Sequence, residues 1–159
     1  MDDLKVTHKD ENAVLAPAMK LGGLYGLKTT ICRGKVHEYL GMDIDWATEP
    51  GTMIVSMVKC LNKVIEEFPD VIKGTKSSPA GDHLFNYRED ANWKVLLEEQ
   101  ARKFHRTVAQ LLFPCKQSRP DIKPLVSLLT TRVKDSDEVN WGKLRHSLMY
   151  LKGTLYLNR

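Results

Sequence analysis

The chain has too few cysteines, too widely spaced, to staple a fold. Cys32, Cys60 and Cys115 are an odd set with no Cys-x-x-Cys pair, which argues against a disulfide framework or a zinc ribbon. Free thiols in a reducing, intracellular setting are the expectation. None of the five histidines, His8, His37, His83, His105 and His146, lies four residues from another, so no helix face offers paired imidazoles to a metal. No apolar run approaches the ~18 residues that span a bilayer, and no membrane partner is expected. The start, Met1-Asp2-Asp3-Leu4-Lys5, is acidic and lacks an apolar core, unlike a signal peptide. No internal repeat marks a solenoid or propeller.

What is present is an ordinary globular composition. The 159 residues are 42% hydrophobic and 28% charged, enough for one domain or one and a half. A chain of this size buries roughly 70% of its unfolded surface without staples. Charge is uneven: residues 100–159 hold 12 Lys/Arg against 4 Asp/Glu, and residues 1–99 hold 12 against 16. A basic second half suits a polyanion; a solvated helical surface accounts for the same charges.

Periodicity divides the chain into a sheet-bearing first part and a helical second part. Residues 1–7 alternate weakly, as in a strand. Residues 10–25 read as a helix capped by Asp10, with Val14, Leu15, Ala18 and Met19 on one face. Pro17, Gly22 and Gly23 oppose it, proline costing ~3 kcal/mol and glycine about 1 in a helix interior. Residues 27–33 and 35–46 read as two strands joined at Arg33-Gly34, and Val36, Leu40, Met42, Ile44 and Trp46 share a period of two in the second. Glu49-Pro50-Gly51 marks a turn. A third strand is expected over 52–58, then a helix over 58–68 with Val58, Leu61, Val64, Ile65 and Phe68 inward.

Residues 69–92 read as a loop, punctuated by Pro69, Gly74, Ser77-Ser78-Pro79 and Gly81-Asp82. Three amphipathic helices should follow and pack as a bundle. The first covers 94–115, with Leu97, Ala101, Phe104, Val108, Leu111, Leu112 and Cys115 in a stripe. The second follows Pro120, with Ile122, Leu125, Val126, Leu129 and Val133 inward. Asp135-Ser136-Asp137-Glu138 supplies caps, and the third helix faces Trp141, Leu144, Leu148 and Leu151 to the core before Gly153. The expected fold is α+β, a small antiparallel sheet with a helix followed by a three-helix bundle, arranged as residues 1–68, a linker at 69–93, and 94–159.

Several blocks form an ordered set: Lys35–Trp46, Phe104–Phe113, Arg119-Pro120-Asp121-Ile122, Leu128–Val133 and Leu144–Thr154. Together with Asp2-Asp3 they resemble the polymerase region of copia-type retrotransposon polyproteins, from the end of the reverse transcriptase palm through thumb to connection. The resemblance covers nearly the whole chain. It implies RNA-directed DNA synthesis on an RNA/DNA template–primer, with Asp2 and Asp3 as catalytic ligands to Mg²⁺. Two-metal phosphoryl transfer needs such carboxylates to hold Mg²⁺ at the primer hydroxyl and the triphosphate. The family uses a third aspartate on an earlier palm strand and fingers that close over the nucleotide. Read from Met1, this sequence holds neither, so an incomplete Mg²⁺ site and an inactive isolated chain are expected. Nor does the chain reach the ribonuclease H domain that follows in the family.

In the same resemblance, Tyr39-Leu40-Gly41 falls at the primer grip, where glycine admits a close phosphate; without the resemblance, an amphipathic strand with a glycine bulge is the favoured reading. The loop Ser78-Pro79-Ala80 matches the thumb-to-connection joint. Arg102, Arg106, Lys143 and Arg145, with Lys103, Arg119, Lys123, Arg132 and Lys152, could follow a nucleic-acid backbone, although their spacing does not place all of them on one face. His105, His146, Trp46, Trp93 and Trp141 read as packing residues. Pro17, Pro114 and Pro124 depart from the family pattern and suggest drift without selection on folding. The alternatives to an inactive polymerase portion are a non-catalytic nucleic-acid-binding remnant and a retroelement fossil without selected function.

Overall fold

A computed structural model of the chain describes residues 4–26, 30–48, 50–82, 84–85 and 94–157. The fold is α+β. Its elements are α1 (Glu11–Tyr25), β1 (Val36–Tyr39), β2 (Met42–Asp45), β3 (Ile54–Ser56), α2 (Val58–Glu67), α3 (Glu98–Gln117), a 3₁₀ turn (Pro120–Ile122), α4 (Lys123–Thr131) and α5 (Glu138–Gly153). The strands form one small sheet in the order β1-β2-β3. Two compact units divide the chain, Met1–Ile54 and Val55–Arg159.

In the first unit, α1 is made by local signals. Asp10 accepts the Asn12 amide at 2.9 Å, and Gly26, at φ 63°, closes the helix by donating its amide to Gly22, the left-handed cap that glycine tolerates. Pro17 lies inside the helix and none of its residues is buried. Met19, expected on the inward face, is 74% exposed.

The single strand expected over 35–46 is in fact a hairpin. β1 and β2 pair antiparallel in the register His37↔Ile44 and Tyr39↔Met42. Leu40 and Gly41, at φ 50° and 75°, form the two-residue connection, the positive-φ pair that a tight hairpin of this twist requires. A two-residue turn reverses parity: odd positions of β1 share a face with even positions of β2. Met42 and Ile44 are accordingly buried, while Val36, expected with them, is 61% exposed. Residues 30–33 form no strand, and 4–7 form no regular structure; the rest of those two expected strands, 27–29 and 1–3, lies outside the described residues.

In the second unit, α2 to α5 enclose one core. Phe104, Leu111, Ile122, Leu129, Leu144, Leu148 and Leu151 are fully excluded from solvent, each such side chain stabilising by about 1.5–3 kcal/mol. The expected stripes hold for α4 and α5 and mostly for α2. α3 begins later than its stripe. Leu97 is its N-cap residue and 75% exposed, because residues 94–96 run extended against the loop before α5: the Leu96 amide donates to Ser136 O at 3.0 Å and the Glu138 amide to Lys94 O at 3.2 Å. Leu96 is the buried neighbour instead. Asp137 caps α5 through the Asn140 amide at 2.7 Å.

The prolines of this unit sit where the fold accommodates them. Pro120 opens the 3₁₀ turn and Pro124 opens α4, where no amide is needed. Pro114 is buried in the last turn of α3, and its carbonyl accepts the amides of Ser118 and Arg119 at 3.0 and 2.9 Å.

The described part of the 69–92 loop is fastened along α5. Asp70 accepts Trp141 Nε1 at 2.7 Å, Ile72 O accepts Lys152 Nζ at 2.8 Å, Ser78 O meets His146 Nε2 at 3.1 Å, and Leu84 O accepts Lys143 Nζ at 2.8 Å. Ile72 and Leu84 enter the core.

Candidate functional site

Arg119 is the most unusual residue of the second unit: a guanidinium with 1% exposure. The break between α3 and α4 carries it inward. Its Nε and Nη2 donate to the two Asp121 oxygens at 3.0 and 2.7 Å, and Nη1 and Nη2 donate to the carbonyl and hydroxyl of Thr154 at 2.8 and 2.7 Å. The Thr154 hydroxyl donates to Tyr150 O at 2.8 Å, and the Tyr150 hydroxyl donates to Asp121 Oδ2 at 2.7 Å. The guanidinium also lies 5.4 Å from the Tyr150 ring centroid, within range of a cation–π attraction. A buried charge is tolerated when it is paired and its donors are satisfied, and the forked pair supplies both.

Around Asp121, burial pushes its carboxyl upward, but hydrogen bonds from Arg119 and Tyr150 and the Arg119 charge outweigh it and hold the carboxyl below its usual range. Burial and the Asp121 carboxylate raise the Tyr150 phenol. The cluster binds the turn after α3 to the end of α5. Its polar groups bond chiefly to one another, which makes it a clamp between these two segments. Arg119 is thereby removed from the basic residues that could face a polyanion.

The other basic residues divide by partner. On α3, Arg102 pairs with Glu98 at 2.9 Å and Lys103 with Glu99 at 2.6 Å, one helical turn apart. Arg106 reaches Glu67 of α2 at 3.0 Å, which also accepts Gln110 at 2.9 Å. These cations are exposed but locally neutralised. Lys143, on α5, is drawn inward to Leu84 O, and burial lowers its pKa. Arg145 is exposed. Lys143 and His146 border a cavity of about 290 Å³ whose apolar wall includes Leu84, Leu125 and Val139. Both groups spend a hydrogen bond on the loop that covers the helix.

In the first unit, Tyr39, Leu40 and Gly41 form the hairpin tip, with Leu40 50% exposed. The glycine bulge anticipated there is a tight turn. Across the hairpin Glu38 faces Asp43 and Val36 faces Asp45. On the other face Lys5 Nζ sits 3.8 Å from the Trp46 ring centroid, with the His37 ring edge-on to the indole at 5.9 Å. Trp46 is thus a packing residue, as is Trp141, 4.8 Å from Phe68. His105 is exposed. Trp93 lies outside the described residues.

Asp2 and Asp3 also lie outside them. Among the described residues no three His, Cys, Asp or Glu side chains gather as a metal site.

Sequence reasoning singled out Arg119-Pro120-Asp121 and Tyr150–Thr154 as pattern blocks but missed that they touch. The available signal was an Arg-x-Asp spacing at a helix break, between two apolar stripes that had to converge. What fold and site define together is an α+β protein with a charged interlock in its helical core. Compared with protein-family models, curated proteins and solved structures, the chain matches none.

Proposed function

We propose that the chain is the palm-end, thumb and connection portion of a copia-type reverse transcriptase, its second unit acting as a helical scaffold beside the polymerase chemistry. One observation carries the reading: two of the sequence blocks that carry the resemblance, Arg119–Ile122 and Leu144–Thr154, meet in a single cluster of Asp121, Tyr150 and Thr154 around the buried Arg119. Residues that interlock must be kept together, which is what an ordered sequence signature requires. In this reading Asp2 and Asp3 are two of three carboxylates for Mg²⁺, the partner is an RNA/DNA template–primer, and this chain alone does not extend a primer.

The test is the transcript upstream of the Met1 codon. An open frame with a tyrosine two positions ahead of Asp2, and a further aspartate on an earlier palm strand, supports the reading; unrelated upstream coding sequence sinks it. Primer extension by the purified chain with Mg²⁺, abolished by Asp2→Asn with Asp3→Asn, would overturn the inactivity but keep the family.

A further inference from the structure

Among the described residues, three cations without an ion pair, Lys73, Lys76 and Arg145, lie where the loop after α2 runs along α5. From Ile72 to Ser78 the loop follows the helix back from Lys152 to His146. It fits closely: a Cβ on Gly153 would stand 2.9 Å from Thr75 Cβ, and one on Gly74 3.7 Å from Met149 Cε. Gly74 adopts φ 73° to make the bend. Arg145, Met149 and Lys152 are spaced four and three residues apart, so they share the stripe of α5 that borders the loop.

Lys73, Lys76, Arg145 and Lys152 are therefore brought onto one strip, and all four are exposed. Residues 71–81 and 139–157 contain no Asp or Glu. Among the described residues no ion pair holds Lys73, Lys76 or Arg145, whereas Arg102, Lys103 and Arg106 are each bonded to a glutamate. Thr75, Ser77 and Ser78 add hydroxyls beside the lysines. A fixed backbone carrying cations and small donors, with no carboxylate between them, suits successive phosphates of one strand.

We propose that this strip, Lys73, Lys76, Arg145 and Lys152, is a docking surface for the phosphodiester backbone of nucleic acid, and that α3 is not. The proposal refines the template–primer contact of the reading above, but it stands on charge placement and is tested separately from it. About three phosphates engaged would give a log–log salt slope near −2.7, so affinity should fall roughly 40-fold between 50 and 200 mM NaCl.

The experiment is fluorescence anisotropy of a fluorescein-labelled RNA–DNA hybrid with the full chain. Lys73→Gln with Lys76→Gln should weaken binding by at least about tenfold and flatten the slope by about 1.8. Arg145→Gln should act in the same direction, and Arg102→Gln with Lys103→Gln should change affinity less than twofold. Unchanged thermal melting by circular dichroism establishes that each variant is folded. Equal losses from the loop and α3 pairs would overturn the strip, as would a larger loss from α3. No binding of the hybrid at 50 mM NaCl would also overturn it, whether or not phosphatidylserine vesicles are bound, while the family reading would still be decided by the upstream frame.

Discussion

The two units are built by different physics. Among the described residues the first unit buries two apolar side chains, Met42 and Ile44, and its 15-residue helix buries none. The second gathers an 18-member core from α2 to α5 and the segments between them. An isolated helix of the length of α1 is marginal in water, so caps and the Gly26 terminator must do for α1 what burial does for α3. The residues to which the resemblance assigns catalysis, Asp2 and Asp3, belong to the less buried unit, and the blocks that carry it, apart from Lys35–Trp46, belong to the other. Sequence signature and chemistry are thus separable here, and the contrast can be attacked from either side.

The largest effect should come from the buried guanidinium. Arg119→Ala strands the Asp121 carboxylate and the Thr154 carbonyl. Breaking a buried pair this way costs about 3–5 kcal/mol, and the lower end applies because the Asp121 side chain keeps 25% exposure and can rehydrate. Urea unfolding followed by circular dichroism measures it. A loss below about 1 kcal/mol, the level of a surface pair, would mean that the cluster does not hold the unit together.

A core truncation gives the direct contrast. Leu148→Ala, at 0% exposure, should cost about 2–5 kcal/mol, whereas Met19→Ala on α1 should stay within about 0.5 kcal/mol. Comparable losses from the two would erase the distinction between the units.

Acid should act on the same interlock. The Asp121 carboxyl is held below its ordinary range in the folded chain. Its contribution is therefore fully present above the unfolded value of about 3.9 and is lost as pH falls through the folded value. Thermal melting between pH 5 and 2 should fall less steeply for Asp121→Asn than for the parent chain, after allowing for the lower starting stability of the variant. Identical slopes would show that other carboxylates dominate acid unfolding.

These residues also mark what could be read from sequence. The stripes of α4 and α5 were legible because a 3.6-residue period survives any detail of packing. The start of α3 was not, because Leu96 and Leu97 are equally apolar and only the pairing of residues 94–96 with the loop before α5 chooses between them. The Arg119 cluster was visible as two blocks but not as one site, since the turn after α3 and the end of α5 meet only through tertiary packing. The loop after α2 looked like a linker because, apart from Asp70, it meets the α5 side chains through backbone carbonyls, which have no residue signature. Lys73 and Lys76 were passed over for the same reason: their importance depends on the helix beneath them.

The hairpin shows the limit of periodicity most sharply, and it supplies the smallest test. Alternation from Val36 to Trp46 was real, yet a two-residue turn at Leu40-Gly41 preserves alternation while exchanging faces between the strands. Leu40 occupies a left-handed conformation, φ 50°, that costs an ordinary L-residue about 1–2 kcal/mol. Asparagine tolerates it, and Asn-Gly is the favoured pair for such a turn. Leu40→Asn should therefore stabilise the hairpin by about 1 kcal/mol. Exchange of the Trp46 amide, which donates to Lys35 O at 2.9 Å, should slow about fivefold if the hairpin opens independently. Faster exchange would mean that the Leu40 side chain contributes packing outweighing its backbone strain. The tip would then be held by a contact that its 50% exposure does not lead one to expect. If exchange slows as argued, the leucine is an unfavourable residue at the one place where the resemblance assigns a role in holding the primer. Retention of such a residue is what function at that tip predicts, and its free replacement would count against it.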